Sequence, residues 1–382
     1  MVEAATATAN PFAAGADAMM REWQTMLRKT LALPKVVEAA QRVRVGTTPT
    51  RIVYSEDKLR LLQYRTEDEQ TVRTPLVVVF ALINRPYILD LKPDRSVVRQ
   101  FLRAGFDVYN VDWGIPTSGD RFLSIEDYVE RYLDHVVDEV RRRCDVDSIN
   151  VLGYCMGGSL SAMYTALHPE KVRNLMMLAA PVDWSDRESL LSVWTDPKYF
   201  DVDKMIDVFG NAPAEWLQSS FALLKPVQNL IGKYVNFYEK MDDEKFLEDF
   251  FAMETWLNDN IPVAGETFRQ FVKDLFQKNL LMKGEMEIGG RRVDLKRITC
   301  PILNLMASND HLVPCGQSAA FNDAVGSSDR RAITLPAGHI GMAVGSKAHR
   351  DLWPAVCEWL KERSEGKGRR GKDETSKRRK AK

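Results

Sequence analysis

Apolar and polar positions change rhythm several times along the chain. Through residues 1–45 they follow a helix. In MMREWQTMLRKTLAL, Met19, Trp23, Met26, Leu27 and Leu31 recur at helical spacing and form one apolar face. That face is expected to pack on the main body of the protein; the sharper alternative is a docking helix for a partner. Over 46–182 short apolar runs, LVVVFALI, FDVYNVDW, INVLGY and NLMMLAAP, alternate with amphipathic stretches such as SIEDYVERYLDHVVDEVRRRC. Strands separated by helices predict a mostly parallel sheet covered on both faces. The alternation lapses over 183–291, which reads as helical and aromatic, with Trp184, Trp194, Trp216, Phe221, Tyr234, Phe237, Tyr238, Trp256 and Phe268. It resumes over 292–364 in CPILNLMAS, RAITLPA and a last helix, HRDLWPAVCEWLKER. The layout predicts an α/β core interrupted by a helical cap, or lid, and then completed.

Composition narrows the class. At 382 residues, 45% hydrophobic and 28% charged, the chain has ample material for a core. Its zero net charge hides an asymmetry. The stretch 365–382 holds nine basic and three acidic residues, so the remainder is negative by six. This tail carries no periodicity and is expected to be disordered; its charge would suit nucleic acid, a polymer surface or plain solubility, of which solubility is the commonest case, and no nucleic-acid partner is expected. The five cysteines are scattered, with no CxxC pair and no metal-like spacing to histidine. That suits a reducing compartment and argues against a disulfide framework. No secretory signal and no transmembrane segment is evident, and the expectation is an intracellular protein without metal or cofactor.

Chemistry concentrates in VLGYCMGGSL, 151–160, where an apolar run ends in Gly-x-Cys-x-Gly. A strand running into this pattern predicts the nucleophile elbow of the α/β-hydrolase fold, with Cys155 at the tip of a tight strand-to-helix turn. Gly153 and Gly157 would let neighbouring backbone approach closely. A helix starting near Met156 would aim its free N–H groups and positive dipole end at the sulfur, favouring thiolate. The fold requires an acid and then a histidine on later strands. Asp310 follows PILNLMASN and His339 follows RAITLPAG, each just past a strand. His311 adjoins Asp310, but adjacent side chains diverge there. His135, His168 and His349 are assigned to surface or packing, and Cys144, Cys300, Cys315 and Cys357 to small buried hydrophobes. One oxyanion donor is expected at the Met156 N–H, the other at Ile83 or Asn84 in VVVFALINRPYILDL.

A thiol in place of the usual serine has a thermodynamic reading. Serine attacking a thioester gives an oxoester and loses most of the acyl-transfer potential. Cysteine gives another thioester, nearly level with the substrate, and leaves transfer to an alcohol downhill. An aromatic cap would exclude the competing acceptor, water. The residues therefore favour acyl transfer from a thioester. A cysteine-dependent thioesterase or ester hydrolase, and a non-catalytic scaffold, stand as the alternatives.

Eight blocks in order carry a family resemblance: ALINRPYILDL with P-D-R-S, FDVYNVDWG, LGYCMGG, AAPVDW, NDNIPVAGETFRQF, the KGE…IGG…VDL run, the Asp310-His311 loop and PAGHIG. From about Val45 to Leu360 the chain resembles the polyhydroxyalkanoate synthases, specifically the short catalytic subunits of the two-component class III and class IV types. The resemblance implies that Cys155 attacks an (R)-3-hydroxyacyl-coenzyme A, short-chain 3-hydroxybutyryl in the first instance. Repeated transfer onto a growing polyester chain releases coenzyme A. His339 would deprotonate Cys155, and Asp310 would either assist His339 or activate the monomer's 3-hydroxyl. It further implies a homodimer at granule surfaces in the cytoplasm, working with a second small subunit of class III or class IV type.

Overall fold

The computed structural model describes residues 11–186 and 189–364. The basic tail expected over 365–382 lies outside the described residues. Two compact units emerge among the described residues: one from 11–44 with 225–255, the other from 45–186 and 189–224 with 256–364.

The larger unit is built on eight strands: β1 (Thr50–Glu56), β2 (Leu59–Tyr64), β3 (Val72–Val79), β4 (Phe106–Asp112), β5 (Ile149–Tyr154), β6 (Val172–Leu178), β7 (Ile302–Ala307) and β8 (Arg330–Leu335). They lie in the order β1-β2-β4-β3-β5-β6-β7-β8. β3 to β8 are mutually parallel; β2 is antiparallel to β4 and β1 to β2. Every residue of β5 and β7 is buried, which is why these strands read as apolar runs broken only by Asn150 and Asn304. β1 and β2 gave no such signal. They form the edge of the sheet, β1 has no buried residue, and its sequence TRIVYSE is half polar. Helices flank the sheet, among them Val97–Arg103, Asp134–Cys144, Met156–Leu167 and Trp353–Ser364. The Phe101 ring meets Trp353 edge-on at 5.9 Å, locking two of them together. The parallel arrangement brings the carboxyl ends of β3, β5, β7 and β8 to one edge, where ligand sites of open α/β sheets form.

The helical insertion expected over 183–291 is divided between the two units. Leu190–Trp194, Val202–Phe209, Ala214–Leu223, Gly265–Gln270 and Phe271–Gln277 belong to the larger unit, whereas 225–255 joins the N-terminal helix. The N-terminal segment is therefore not a separate piece.

In that smaller unit the helix Pro11–Arg42 packs with Ala32, Val36 and Ala39 against Phe237, Met241, Leu247 and Phe251. Lys29 is buried beside them, its Nζ 2.6 Å from both the Glu239 carbonyl and Asp242 Oδ1. The face expected to be covered is instead exposed: Trp23 at 60% and Leu31 at 69%, with Met19, Met26 and Leu27. The reason is steric and electrostatic. Ala32 and Ala39 permit close approach, and the Lys29 ammonium finds matched acceptors, whereas periodicity alone reveals a stripe without revealing its neighbour. No helix among the described residues is long and apolar enough to cross a membrane.

Ala32→Asp would bury an unpaired charge in this contact. It should make Pro11–Arg42 sensitive to limited proteolysis, mapped by mass spectrometry, while Trp23→Ser leaves the cleavage pattern unchanged. The reverse result would place the packed face on the Trp23 side.

Candidate active site

β5 ends at Tyr154, and the next residue, Cys155, stands at φ 55°, ψ −125° before the helix Met156–Leu167 begins. A side chain in this left-handed region costs on the order of 1–3 kcal/mol and persists only where its surroundings over-determine it. They do so here. The Cys155 N–H donates to the Leu178 carbonyl at 3.0 Å, tying the turn to β6. A Cβ on Gly157 would lie 2.1 Å from the Val79 carbonyl oxygen, and one on Gly153 would lie 2.5 Å from Gly158 Cα. Gly158 is equally constrained, since a Cβ there would meet the Ala180 methyl at 2.3 Å. Only glycine lets helix, β3 end and β6 end close around the turn.

Asp310 lies just past β7 and His339 just past β8, and the structure brings both to Cys155. His339 Nδ1 is 2.6 Å from Asp310 Oδ2, and Cys155 is near enough to act on the imidazole. Asp310 is buried, and its other oxygen accepts the Leu312 and Val313 N–H groups, each at 2.9 Å. Burial alone would make His339 harder to protonate. The Asp310 charge, the Cys155 charge and the hydrogen bonds to both outweigh it, and the pKa is pushed up from 6.5 to about 10. The arrangement favours a protonated imidazole between Asp310 and Cys155.

A cavity of about 290 Å³ opens against Cys155 and Met156. Trp194, Phe200, Trp216, Phe268 and Phe271 contribute to its walls, which are almost wholly apolar. Ile83 also lines it, whereas Asn84 does not; the Asn84 amide donates to Asn260 Oδ1 at 3.2 Å. The loop that carries Ile83 is pinned at both sides. Trp113 Nε1 donates to the Phe80 carbonyl at 3.0 Å, and Trp256 Nε1 to the Arg85 carbonyl at 2.8 Å. Met156 and Gly157, first in their helix, have N–H groups with no intrahelical acceptor.

Comparison with known proteins decides the family. Residues 86–346 match the model described as alpha/beta hydrolase fold, and residues 6–101 the one described as Poly-beta-hydroxybutyrate polymerase (PhaC) N-terminus. The chain is 48% identical over 362 residues to the poly(3-hydroxyalkanoate) polymerase subunit PhaC of Haloferax mediterranei, covering 94% of this chain and 73% of that one. The chain belongs to the poly(3-hydroxyalkanoate) polymerases. These are acyltransferases. The corresponding subunit of Allochromatium vinosum is 44% identical over 326 residues, covering 85% of this chain and 91% of its own. Among solved structures, the monoacylglycerol lipase of Paleococcus ferrophilus superposes with a TM-score of 0.50 at 16% identity, over 79% of this chain and 99% of that one. That likeness concerns the fold alone.

In this polymerase the remaining thiols differ from Cys155 in surroundings. Burial pushes Cys300 and Cys357 up to about 12 and raises Cys144 and Cys315 as well. His135 faces Glu56, His168 stacks on Tyr164, and His349 meets the Ala343 carbonyl, all away from the elbow. His311 is exposed. Among the described residues no group of three or more His, Cys, Asp or Glu is placed to hold a metal ion. Sequence reasoning overlooked Phe200, Phe271 and Phe276 as cavity walls, and Tyr154 as a neighbour of His339. The aromatic richness of 183–291 was the available signal for the first group. Nothing in sequence links Tyr154 to a residue 185 positions away.

A raised histidine pKa means the folded chain holds the proton more tightly than the unfolded one. The stability so supplied is complete below pH 6.5 and is lost as pH rises through about 10. With five histidines in the chain, the His339 ring is resolvable by NMR. Its signal should not titrate across neutral pH. Asp310→Asn removes the foremost charge holding the proton, so the midpoint should fall toward 6.5; a wild-type midpoint already there would deny the ion pair.

Proposed function

We propose that this chain polymerises (R)-3-hydroxyacyl-coenzyme A thioesters, short-chain 3-hydroxybutyryl among them, through a covalent thioester on Cys155. One observation carries the reading: a strained cysteine lining an apolar cavity, beside a histidine that a buried aspartate holds. The Cys155 thiolate attacks the thioester carbonyl, and the oxyanion is held by the Met156 N–H with a second donor at Ile83. The carbon–sulfur bond to coenzyme A breaks, and the departing thiolate takes the proton of His339.

His339, now neutral, accepts the proton of the 3-hydroxyl of an incoming monomer. That oxygen attacks the Cys155 thioester, the chain moves onto the monomer, and the thiolate–imidazolium pair returns. Attack by Cys155 on the lengthened coenzyme A thioester closes the cycle. Asp310 is assigned to His339 rather than to the monomer, because one of its oxygens is taken by the imidazole and the other by two N–H groups. The aromatic walls disfavour water as the acceptor.

The relatives' printed names call them subunits. We take this chain likewise to act with a second, smaller subunit, as a homodimer at the surface of its polyester in the cytoplasm.

Supplied with 3-hydroxybutyryl-coenzyme A, the protein with its small subunit should release coenzyme A and accumulate insoluble polymer. Cys155→Ala should abolish both while leaving the circular dichroism spectrum intact. Cys155→Ser should lower the rate by at least about 100-fold, because a hydroxyl is a far weaker nucleophile near neutral pH. Free 3-hydroxybutyrate without polymer would make the chain a hydrolase, and full activity in Cys155→Ala would remove the site.

A further inference from the structure

The Asp310 hydrogen bond at Nδ1 anchors one point of the His339 ring but leaves its plane free to turn. A second contact opposes that turn. The Tyr154 ring lies nearly parallel to the imidazole, with centroids 5.2 Å apart and planes 21° from each other. Its hydroxyl donates to the His339 backbone carbonyl at 3.1 Å, an oxygen that also receives the Met342 N–H at 3.4 Å. Tyr154 is itself immobilised. It is 1% exposed, ends β5, and Phe80 packs edge-on against it at 5.3 Å.

We infer that Tyr154 is a positioning residue for the polymerase reaction, fixing the plane of His339 and favouring its protonated form through the face of its ring. The inference rests on the reading of Cys155 and His339 as the working pair. An aromatic face carries negative electrostatic potential, so a cation against it is stabilised where water is absent. His339 is such a cation beside a largely apolar cavity, and the stacked ring offsets part of the cost of its burial. The arrangement also gives positional economy. Cys155 and the platform for its partner are consecutive residues, so any movement of the β5 end carries both together. Burial keeps the phenol protonated and able to donate, with the Cys155 and Asp310 charges acting in the same direction.

Three replacements separate the parts. Tyr154→Phe keeps the ring and loses the hydroxyl; kcat should fall by no more than about threefold, with the His339 midpoint close to wild type. Tyr154→Leu loses both; kcat should fall about tenfold with KM little changed, and the midpoint should drop. Pentafluorophenylalanine in place of Tyr154 keeps the volume and reverses the polarity of the face. It tests the platform even if the leucine variant fails to fold, and it should lower the midpoint further than Tyr154→Phe does.

An unmoved midpoint in the fluorinated protein would overturn the inference and leave Tyr154 as ordinary packing. His339→Gln serves as the control. If it abolishes polymer formation while the Tyr154 variants behave as wild type, only this inference falls. If it leaves polymer formation intact, the catalytic reading falls with it.

Discussion

The site depends on one constraint, the backbone of Cys155 held where an L side chain seldom stands. A sulfur at the end of an ordinary strand would point into a face of the sheet, among the buried residues of β5. At φ 55° the chain reverses within a single residue, and the sulfur stands beyond the carboxyl end of the strand. The strain is borne by contacts that leave no room for relaxation: Gly157 against the carbonyls of Val79 and Phe80, Gly158 against Ala180, and the Cys155 N–H on Leu178. They reach the ends of β3 and β6, so the turn is rigid because the parallel sheet beneath it is rigid.

The same sheet explains how three residues far apart in sequence meet. β5, β7 and β8 run in one direction, so Cys155, Asp310 and His339 all leave the sheet at one edge. Charge then settles what geometry permits. Burial opposes a protonated imidazole, and it is the Asp310 carboxylate, with the sulfur, that reverses the balance. Asp310 in turn is oriented by two backbone N–H groups at the start of its loop.

How far this was legible in sequence follows from where the determining forces lie. Strands buried on both faces are predominantly apolar, so INVLGY and PILNLMAS announced β5 and β7 despite Asn150 and Asn304. The edge strand β1 and its partly buried neighbour β2 feel less of that pressure and left no comparable pattern. The elbow was legible because sterics demand glycine at fixed offsets, here Gly153 and Gly157. Asp310 and His339 were legible because chain order restricts the partners of such a nucleophile. The N-terminal helix was misread for a physical reason. Its large apolar residues make the conspicuous stripe, but Ala32 and Ala39 make the closer fit, and small residues leave a weak signal. Likewise the grouping of 225–255 with that helix rests on Lys29 meeting Glu239 and Asp242, contacts more than two hundred positions apart.

On the proposed reading, the choice of sulfur over oxygen also changes what His339 does. A serine hydroxyl would remain neutral in this turn, and His339 would lose one of the two charges that hold its proton. The histidine would then be a neutral base waiting for substrate, the arrangement suited to hydrolysis. With a thiolate the proton already resides on the imidazole before substrate arrives. Acylation removes the negative charge from sulfur, and with it part of what binds that proton, at the moment the leaving thiolate can accept it. The neutral imidazole that remains is the base an incoming hydroxyl requires. One substitution in the elbow thus alternates the protonation of His339 with the loading of Cys155, and a chain can grow without a second base.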